Sequence, residues 1–303
     1  MKWIAAVLFL LLVPANAQTF AAGAANGNSP LLLNDSTSLQ FGGPQPVPCT
    51  DTTGKTSATP TVGTGTLVLI VNSQSVADNT LPTAVTPTNT TKVLQLDVYN
   101  QTVYQAAGNL LGTDGTGGTG CTTTGNYQVY LADKLVTDGK FSQVILVPVG
   151  IGGSSVQDWS PVGMLNQRAR VSCLAVRAKG WIGSGASFGI LYDQGNADAN
   201  NNTLHGVPTA ATWESLFGQW QSTFAGLGCN FPIFVATETM QANVTNATIQ
   251  GAQAAVVDNV SVFAGANTDS LTGTTNRWDG THLTNVGGQS NANLWATIIE
   301  AHY

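Results

Sequence analysis

Four short runs of mainly apolar residues recur along the chain, and they limit its fold more than any other feature. They lie at Leu67–Val71, Val144–Val149, Phe188–Tyr192 and Pro232–Ala236. Continuous apolar runs of this length are typical of strands that are buried on both faces of a parallel sheet. The four runs therefore predict the central strands of an α/β fold.

Apolar residues with helical spacing follow these runs. We predict helices over residues 164–179, 213–227, 245–257 and 287–301. The second helix carries a largely aromatic stripe, which more often packs on a sheet than forms a ligand platform. Strands that alternate with helices in this way predict one α/β domain whose parallel sheet is covered by helices on both sides.

The first seventeen residues have the layout of a secretory signal. A basic start, Met1-Lys2, precedes the apolar run Trp3–Val13, and small residues stand at Ala15 and Ala17. The apolar run is too short to span a bilayer. We predict cleavage after Ala17, an irregular Gly-, Pro- and Thr-rich lead-in over 18–64, and a folded domain over 65–303. The expected location is periplasmic or extracellular, with no membrane attachment after cleavage.

The charge of the chain argues against one class of partner. Ten Lys and Arg residues stand against sixteen Asp and Glu residues, for a net charge of −6. So few basic residues offer little for a phosphate backbone, and nucleic acid is not an expected partner. A surface rich in Thr, Asn, Ser and Gly is instead compatible with carbohydrate.

Four cysteines favour two disulfides in an oxidising compartment. Three pairings are open to Cys49, Cys121, Cys173 and Cys229. We favour Cys49–Cys121 and Cys173–Cys229, because the last two fall near the ends of predicted helices. The cysteine spacing matches no zinc pattern, and we expect no metal or organic cofactor.

Polar segments stand where the predicted strands end, which is where ligands bind in a doubly wound sheet. They are residues 72–79, 150–155 and 193–198, and a fourth polar segment, residues 277–284, lies near the C-terminus. The Gly/Thr-rich stretch 112–125 has no periodicity and is expected to be an exposed loop. Of the three histidines, His282 is the one with a carboxylate, Asp279, three residues before it in a turn-like setting. Together the segments contain a hydroxyl, an imidazole, a carboxylate and N–H donors, which acyl transfer requires.

These segments resemble the sequence blocks of the SGNH (GDSL-like) hydrolase superfamily, in particular its sialate O-acetylesterase-like and acetylxylan-esterase-like branch. Gly-Gln-Ser-Asn of that branch corresponds to Ser73–Val76, and its Gly-Gly-Thr/Ser, followed by a Trp, corresponds to Gly152–Ser154 and Trp159. Its Gln-Gly-Glu-x-Asp corresponds to Gln194–Asp198, and its Asp-x-x-His-Leu-Thr corresponds to Asp279–Thr284. The resemblance extends over residues 66–300.

The resemblance implies a three-layer α/β/α sandwich with a central, mainly parallel sheet, SGNH hydrolase-like and flavodoxin-like. It implies a carboxylic ester hydrolase with Ser75 as nucleophile, His282 as general base and Asp279 as the orienting carboxylate. The implied oxyanion donors are the N–H of Ser75, a backbone N–H in the Gly152–Gly153 turn, and a side-chain amide of Gln194 or Asn196. Ser73 is a rival nucleophile by residue type, but it stands at the glycine position of the block.

Three residues depart from the blocks: Ser73 replaces Gly, Val76 replaces Asn, and Asn196 replaces Glu. We expect an exported serine esterase that removes short acyl groups, O-acetyl above all, from a small molecule or polysaccharide through an acyl-enzyme. Because of the three departures, the alternative is a weakly active or non-catalytic carbohydrate-binding or cell-surface protein on an esterase scaffold.

Overall fold

The computed structural model describes residues 48–114, 121, 124–200 and 205–303, and its central feature is a seven-stranded sheet of order β3-β2-β4-β1-β5-β6-β7. The strands are β1 (Thr66–Ser73), β2 (Val93–Leu96), β3 (Val103–Gln105), β4 (Gln143–Pro148), β5 (Ser187–Asp193), β6 (Ile233–Thr237) and β7 (Val262–Asn267). All neighbours pair in parallel except β2 and β3, which pair antiparallel at one edge. The predicted signal, residues 1–17, and the lead-in as far as residue 47 lie outside the described residues.

Seven α-helices connect or follow the strands of the described chain. They are α1 (Tyr127–Thr137), α2 (Val156–Trp159), α3 (Asn166–Ala178), α4 (Ala210–Gly226), α5 (Ala247–Ala255), α6 (Gly273–Asn276) and α7 (Asn285–His302). Short 3-10 turns occupy Ser75–Ala77 and Thr268–Ser270. None of the helices in the described part is long and apolar enough to cross a membrane.

The central strand β1 is buried along its whole length, and its alternating side chains enter two separate cores. Val68 and Ile70 pack in the core that α3, α4 and α5 cover. Leu67, Leu69 and Val71 pack in the core that α1 and α7 cover. The protein is therefore a three-layer α/β/α sandwich, which confirms the predicted fold class.

The predicted elements match four central strands and four helices, but they miss β2, β3 and β7 and the helices α1, α2 and α6. The four apolar runs form β1, β4, β5 and β6, and the four predicted helices correspond to α3, α4, α5 and α7. The aromatic stripe of α4 packs against the sheet, with Trp220 4.3 Å from Tyr192 between ring centroids. The strands β2, β3 and β7 were not predicted, because β2 is short and includes Gln95, and the edge strands β3 and β7 are only partly buried.

The prediction of an exposed loop over residues 112–125 is wrong for its first residues. Thr113 and Asp114 are fully buried, and the ideal Cβ position on Gly112 lies 2.3 Å from the Pro148 carbonyl oxygen. Close packing against the end of β4 therefore holds this part of the segment inside the molecule. The disulfides join Cys49 to Cys121 and Cys173 to Cys229, the pairing favoured from the sequence.

Candidate active site

Three loops meet at the carboxyl ends of the central strands β1, β4 and β5. We call them the serine loop (residues 72–79), the glycine loop (150–155) and the amide loop (193–198). The N–H of Gln74 donates to the Asp193 carbonyl at 3.3 Å, and the N–H of Ile151 donates to the Ser73 carbonyl at 3.1 Å. The parallel order of the strands therefore places the serine loop between the other two.

Ser75 opens the 3-10 turn of the serine loop and is half-buried. Its Oγ lies 2.9 Å from Nε2 of His282, which stands 207 residues later in the chain. The other imidazole nitrogen, Nδ1, lies 2.6 Å from Oδ2 of Asp279. The structure thus brings the hydroxyl, imidazole and carboxylate predicted from the sequence into one hydrogen-bonded series.

The turn that carries Asp279 and His282 is held by its own carboxylate. Oδ1 of Asp279 accepts the N–H of Thr281 at 2.8 Å and the N–H of His282 at 2.7 Å. Burial opposes the charge of Asp279, but these bonds and the contact with the imidazole outweigh it and lower its pKa below the ordinary value. Asp279 is therefore a carboxylate at neutral pH, suited to fix the tautomer of the imidazole.

Arg277 braces the same turn from the inside. Its side chain is 1 % exposed, and its guanidinium donates to the carbonyls of Leu271 and Thr268 at 2.7 Å each and to that of Thr281. Because a guanidinium donates in a fixed planar fork, it sets the relative positions of three backbone carbonyls at once. The turn is thus anchored to the protein interior.

The candidate oxyanion donors differ in what they already bind. The N–H of Gly152 donates to Oδ1 of Asp114 at 2.8 Å, whereas the N–H groups of Gly153 and Ser75 have no partner among the described residues. Nε2 of Gln194 donates to the Ser154 hydroxyl at 3.0 Å. Nδ2 of Asn196 is buried and has no partner in the described part of the chain.

The hydroxyl of Ser73, the rival nucleophile, faces away from the imidazole. The Ser73 side chain is fully buried, and its Oγ donates to Oδ1 of Asp78 at 2.6 Å. Val76, the second departure, is 1 % exposed and belongs to the core under α1 and α7. Neither residue is therefore directed at the position where a substrate would meet Ser75.

Two buried pairs of carboxyl groups flank the serine loop, and the sequence analysis missed both. Asp78 faces Asp114 on the side of the glycine loop. Asp193 ends β5 and Glu238 follows β6, and Glu238 accepts a bond of 3.2 Å from Nε2 of Gln74. Burial raises the pKa of Asp193 and raises that of Glu238 further, since Asp193 adds its charge. For Asp193 and Glu238, the available sequence signal was a carboxylic residue at the end of an apolar run.

Trp278 lies directly on the imidazole of His282. The two rings are stacked, with centroids 5.4 Å apart and planes inclined by 18°. The indole is still 48 % exposed, unlike Trp159, Trp213 and Trp295, which are fully buried. An exposed apolar ring thus stands beside the imidazole.

The other two histidines have different surroundings. Nε2 of His205 lies 3.1 Å from Oδ1 of Asp158. His302 is half-buried and packs edge-on against Phe234 and Phe263 near the C-terminus. No group of three or more His, Cys, Asp and Glu side chains placed to hold a metal ion occurs among the described residues.

Comparison with solved structures finds the same fold in several proteins of low sequence identity. A protein from Arabidopsis thaliana superposes with a TM-score of 0.58 at 13 % identity, over 79 % of this chain and 99 % of that one. A GDSL-like lipase from Parabacteroides merdae gives 0.51 at 15 %, over 78 % and 96 %. NanS gives 0.51 at 12 %, over 80 % and 99 %. No protein-family model and no curated sequence matches the chain.

Proposed function

We propose that this chain is a serine esterase with Ser75 as nucleophile, His282 as general base and Asp279 as the carboxylate that orients the base. The observation that carries the proposal is the hydrogen-bonded series from Asp279 through His282 to the half-buried Ser75 hydroxyl. A serine beside an imidazole that a carboxylate orients is an activated nucleophile. The fold, which is shared with a GDSL-like lipase, supports the same proposal.

In the proposed reaction, the Ser75 hydroxyl attacks the ester carbonyl carbon while Nε2 of His282 takes its proton. The resulting imidazolium is stabilised by Asp279 and then protonates the leaving alcohol, which leaves the acyl group on Ser75. Water, deprotonated by His282, attacks this acyl-enzyme, and the carboxylic acid departs as the proton returns to Ser75. These steps require only the three side chains and donors to the oxyanion.

For the oxyanion donors we propose the N–H of Ser75, the N–H of Gly153 and the side-chain amide of Asn196. All three are without a partner among the described residues, whereas the N–H of Gly152 is bound to Asp114. Preorganised donors aimed at the developing charge are the largest electrostatic contribution in reactions of this kind. Gln194, held by Ser154, is then a support for the amide loop.

The proposed substrate is a short acyl ester, O-acetyl above all, of a carbohydrate. The leaving alcohol must come within hydrogen-bonding reach of His282 to be protonated, and it therefore meets the exposed indole of Trp278. An indole face suits a ring with apolar C–H groups. The low charge and high Thr, Asn and Ser content of the chain support a neutral, polar substrate.

We further propose that the protein is exported. The signal-like residues 1–17 support export, and two disulfides among the described residues are compatible with an oxidising compartment.

The test of the esterase proposal is hydrolysis of a short-chain aryl acetate by purified Ser75→Ala and His282→Ala variants. We expect both to lose nearly all activity, by roughly 10⁴-fold or more, with unchanged circular dichroism. Ser222→Ala is the matched control, since this exposed hydroxyl donates to the Gly218 carbonyl within its own helix. Full activity in Ser75→Ala would refute the nucleophile. A wild-type protein that neither hydrolyses the ester nor reacts with a fluorophosphonate would instead indicate the non-catalytic carbohydrate-binding alternative.

A further inference from the structure

Asp78 and Asp114 are a buried acidic pair beside the serine loop that the proposed mechanism does not use. Asp78 belongs to the serine loop and is 1 % exposed. Asp114 is fully buried and lies against the glycine loop. Two carboxylates in contact inside a protein repel each other, so such a pair is costly unless it is neutralised or performs a task.

Hydrogen bonds connect the pair to both loops. The Ser73 hydroxyl donates to Oδ1 of Asp78 at 2.6 Å, and the Gly152 N–H donates to Oδ1 of Asp114 at 2.8 Å. The backbone of Asp114 adds two bonds: its carbonyl accepts the N–H of Asn79 at 3.1 Å, and its N–H donates to the Gly150 carbonyl at 3.3 Å. The pair therefore joins the serine loop to the glycine loop.

The fit around the pair is tight. The ideal Cβ position on Gly150 lies 1.9 Å from Oδ1 of Asp78 and 2.1 Å from the Ser73 hydroxyl. Any larger residue at position 150 would displace one of these groups. The glycine loop is thus shaped around the carboxyl of Asp78 and not only around a substrate.

One shared proton accounts for the remaining atoms of the pair. Oδ2 of Asp78 and Oδ2 of Asp114 are both buried without a partner among the described residues, although the two carboxyl groups are in contact. A proton between them satisfies both oxygens and removes one of the two charges. The other groups that face the pair are the hydroxyls of Ser73 and Thr113, the Gly152 N–H and the guanidinium of Arg168.

The surroundings decide which residue carries the charge. Burial, and then the charge of Asp114, raises the pKa of Asp78 well above its ordinary value. Burial also raises the pKa of Asp114, but the Gly152 N–H and Arg168 oppose this. Asp78 is therefore the protonated partner, and Asp114 is the carboxylate that holds Gly152.

We propose that the Asp78–Asp114 pair is a positioning device for the oxyanion donors, with Ser73 as its third member. By binding the Gly152 N–H, the pair fixes the glycine loop against Ser75, whose Cβ lies 3.5 Å from the ideal Cβ position on Gly152. Gly153 then supplies an N–H of this loop that has no partner in the described part of the chain. Ser73 stands at the position where the esterases that the chain resembles have glycine. Its hydroxyl holds the carboxyl of Asp78. This inference rests on the proposed esterase function.

The kinetic test uses Asp114→Ala, Asp114→Asn and Asp78→Asn with a short-chain aryl acetate. Asp114→Ala removes the acceptor for Gly152, and we expect kcat to fall roughly 10- to 100-fold with KM nearly unchanged, because a misplaced donor costs part of the ~10²–10³ lost with a whole donor. Asp78→Asn imitates the protonated carboxyl, and its kcat at pH 6 should stay within about threefold of wild type. Asp97→Asn is the control, since Asp97 is equally buried and its side chain accepts the N–H of Tyr99, two residues away in the chain.

The pH profile separates positioning from a purely structural role. As the pH rises through the raised pKa of Asp78, the pair becomes two adjacent carboxylates that repel, so kcat of the wild type should decline over that rise. Asp78→Asn has no such proton to lose, and its decline should disappear, while Asp97→Asn should keep it. An unchanged kcat in Asp114→Ala, or the same decline in Asp78→Asn, would overturn the inference. If Asp114→Ala does not fold, Asp114→Asn and Asp78→Asn decide the matter.

Amide hydrogen exchange keeps this result distinct from a failure of the esterase proposal. In the wild type the Gly152 amide should exchange slowly, because a buried carboxylate accepts it, and in Asp114→Ala or Asp114→Asn it should exchange at least about tenfold faster. If the wild type shows no turnover but this difference is found, the esterase proposal fails while the pairing stands. Fast exchange of Gly152 in the wild type would refute the pairing whatever the activity.

Discussion

Ser75, His282 and Asp279 are held by separate groups of neighbours. Ser75 is set by the 3-10 turn that follows β1, and Thr80 donates a hydroxyl bond of 2.6 Å to its carbonyl. Asp279 is set by the two backbone N–H groups that it accepts, which lower its pKa despite partial burial. The contact of 2.9 Å between Ser75 and His282 therefore depends on two independently braced turns.

The residues that depart from the resembled blocks have partners of their own. Val76 packs into the apolar core, and Ser73 donates to a buried carboxyl group. Asn196, where the blocks have glutamate, brings a neutral amide into the site, and its Nδ2 has no partner among the residues that the structure describes. Replacing a carboxylate by an amide donor favours an oxyanion nearby, so this departure is compatible with activity.

Trp278 provides a prediction about the leaving alcohol. In Trp278→Ala, KM for an acetylated xylo-oligosaccharide should rise roughly tenfold, equivalent to about 1.4 kcal/mol of lost stacking. Ethyl acetate has the same acyl group but no ring, and its kcat/KM should change by less than about threefold. Initial rates of wild type and variant over a range of concentrations of each ester measure KM and kcat/KM. Trp278→Phe keeps an aromatic face and should recover most of the affinity, and an equal loss on both esters would show that the indole acts only through His282.

The element that places His282 is a tight turn between α6 and α7. An isolated bridge pairs Arg277 with Leu283, and the N–H of Trp278 donates to the His282 carbonyl at 3.0 Å. Thr284 then caps α7, which packs against α1. The position of the imidazole is consequently tied to one outer layer of the sandwich, whereas Ser75 is tied to the sheet.

Gly280, at the tip of this turn, allows a test of how the turn positions His282. Its φ is +80°, and its ideal Cβ position lies 2.5 Å from Nδ2 and 3.0 Å from the backbone N of Asn243. Gly280→Ala should therefore lower kcat by roughly tenfold or more and destabilise the fold by about 1–3 kcal/mol, through both backbone strain and the clash. Urea denaturation and aryl acetate hydrolysis measure the two effects.

Gly273→Ala is the matched control for this substitution. Gly273 has a similar φ of +75°, but nothing lies within 4 Å of its ideal Cβ position. It should show the conformational cost of about 1 kcal/mol with near-normal kcat. If both variants lost activity equally, the contact between Gly280 and Asn243 would not be what positions His282.

At the scale of the whole molecule, buried carboxyl groups govern how stability depends on pH. Burial raises the pKa of Asp198 to about 7, and the pKa values of Asp78 and Glu238 are raised as well. The folded state thus binds these protons more tightly than the unfolded state, and stability is lost as pH rises through the interval between the two pKa values. Asp279, whose pKa is lowered, contributes stability that is lost as pH falls below ~4.

We therefore expect the free energy of unfolding to be greatest near pH ~4–5 and to fall as the pH rises to about 7. Urea denaturation across this range, analysed for each pH separately, measures it. Asp198→Asn removes one of the titrating groups and should flatten the decline between pH ~4 and ~7. A stability that rises steadily from pH ~4 to ~7 would contradict the prediction.

The amino-acid sequence by itself determined the four central strands and singled out Asp279 and His282, whereas Ser75 was assigned as nucleophile through the resemblance to the esterase sequence blocks. Strands buried on both faces must be continuously apolar, so β1, β4, β5 and β6 are visible as runs, whereas edge strands such as β3 and β7 need no such run. His282 was identifiable because few histidines are present and one has a carboxylate at short range in the sequence. Local patterns of this kind require no knowledge of distant contacts.

Only the tertiary structure decided which groups around Ser75 are free and which are engaged. Whether Gly152 or Gly153 keeps a free N–H depends on where Asp114 lies, and no periodicity places a residue from an irregular stretch beside another loop. The orientation of Ser73 toward Asp78, and the meeting of Ser75 with His282 across 207 residues, follow from the order of strands in the sheet. Hydrogen bonds act over about 3 Å, and only the folded chain brings remote segments to that distance.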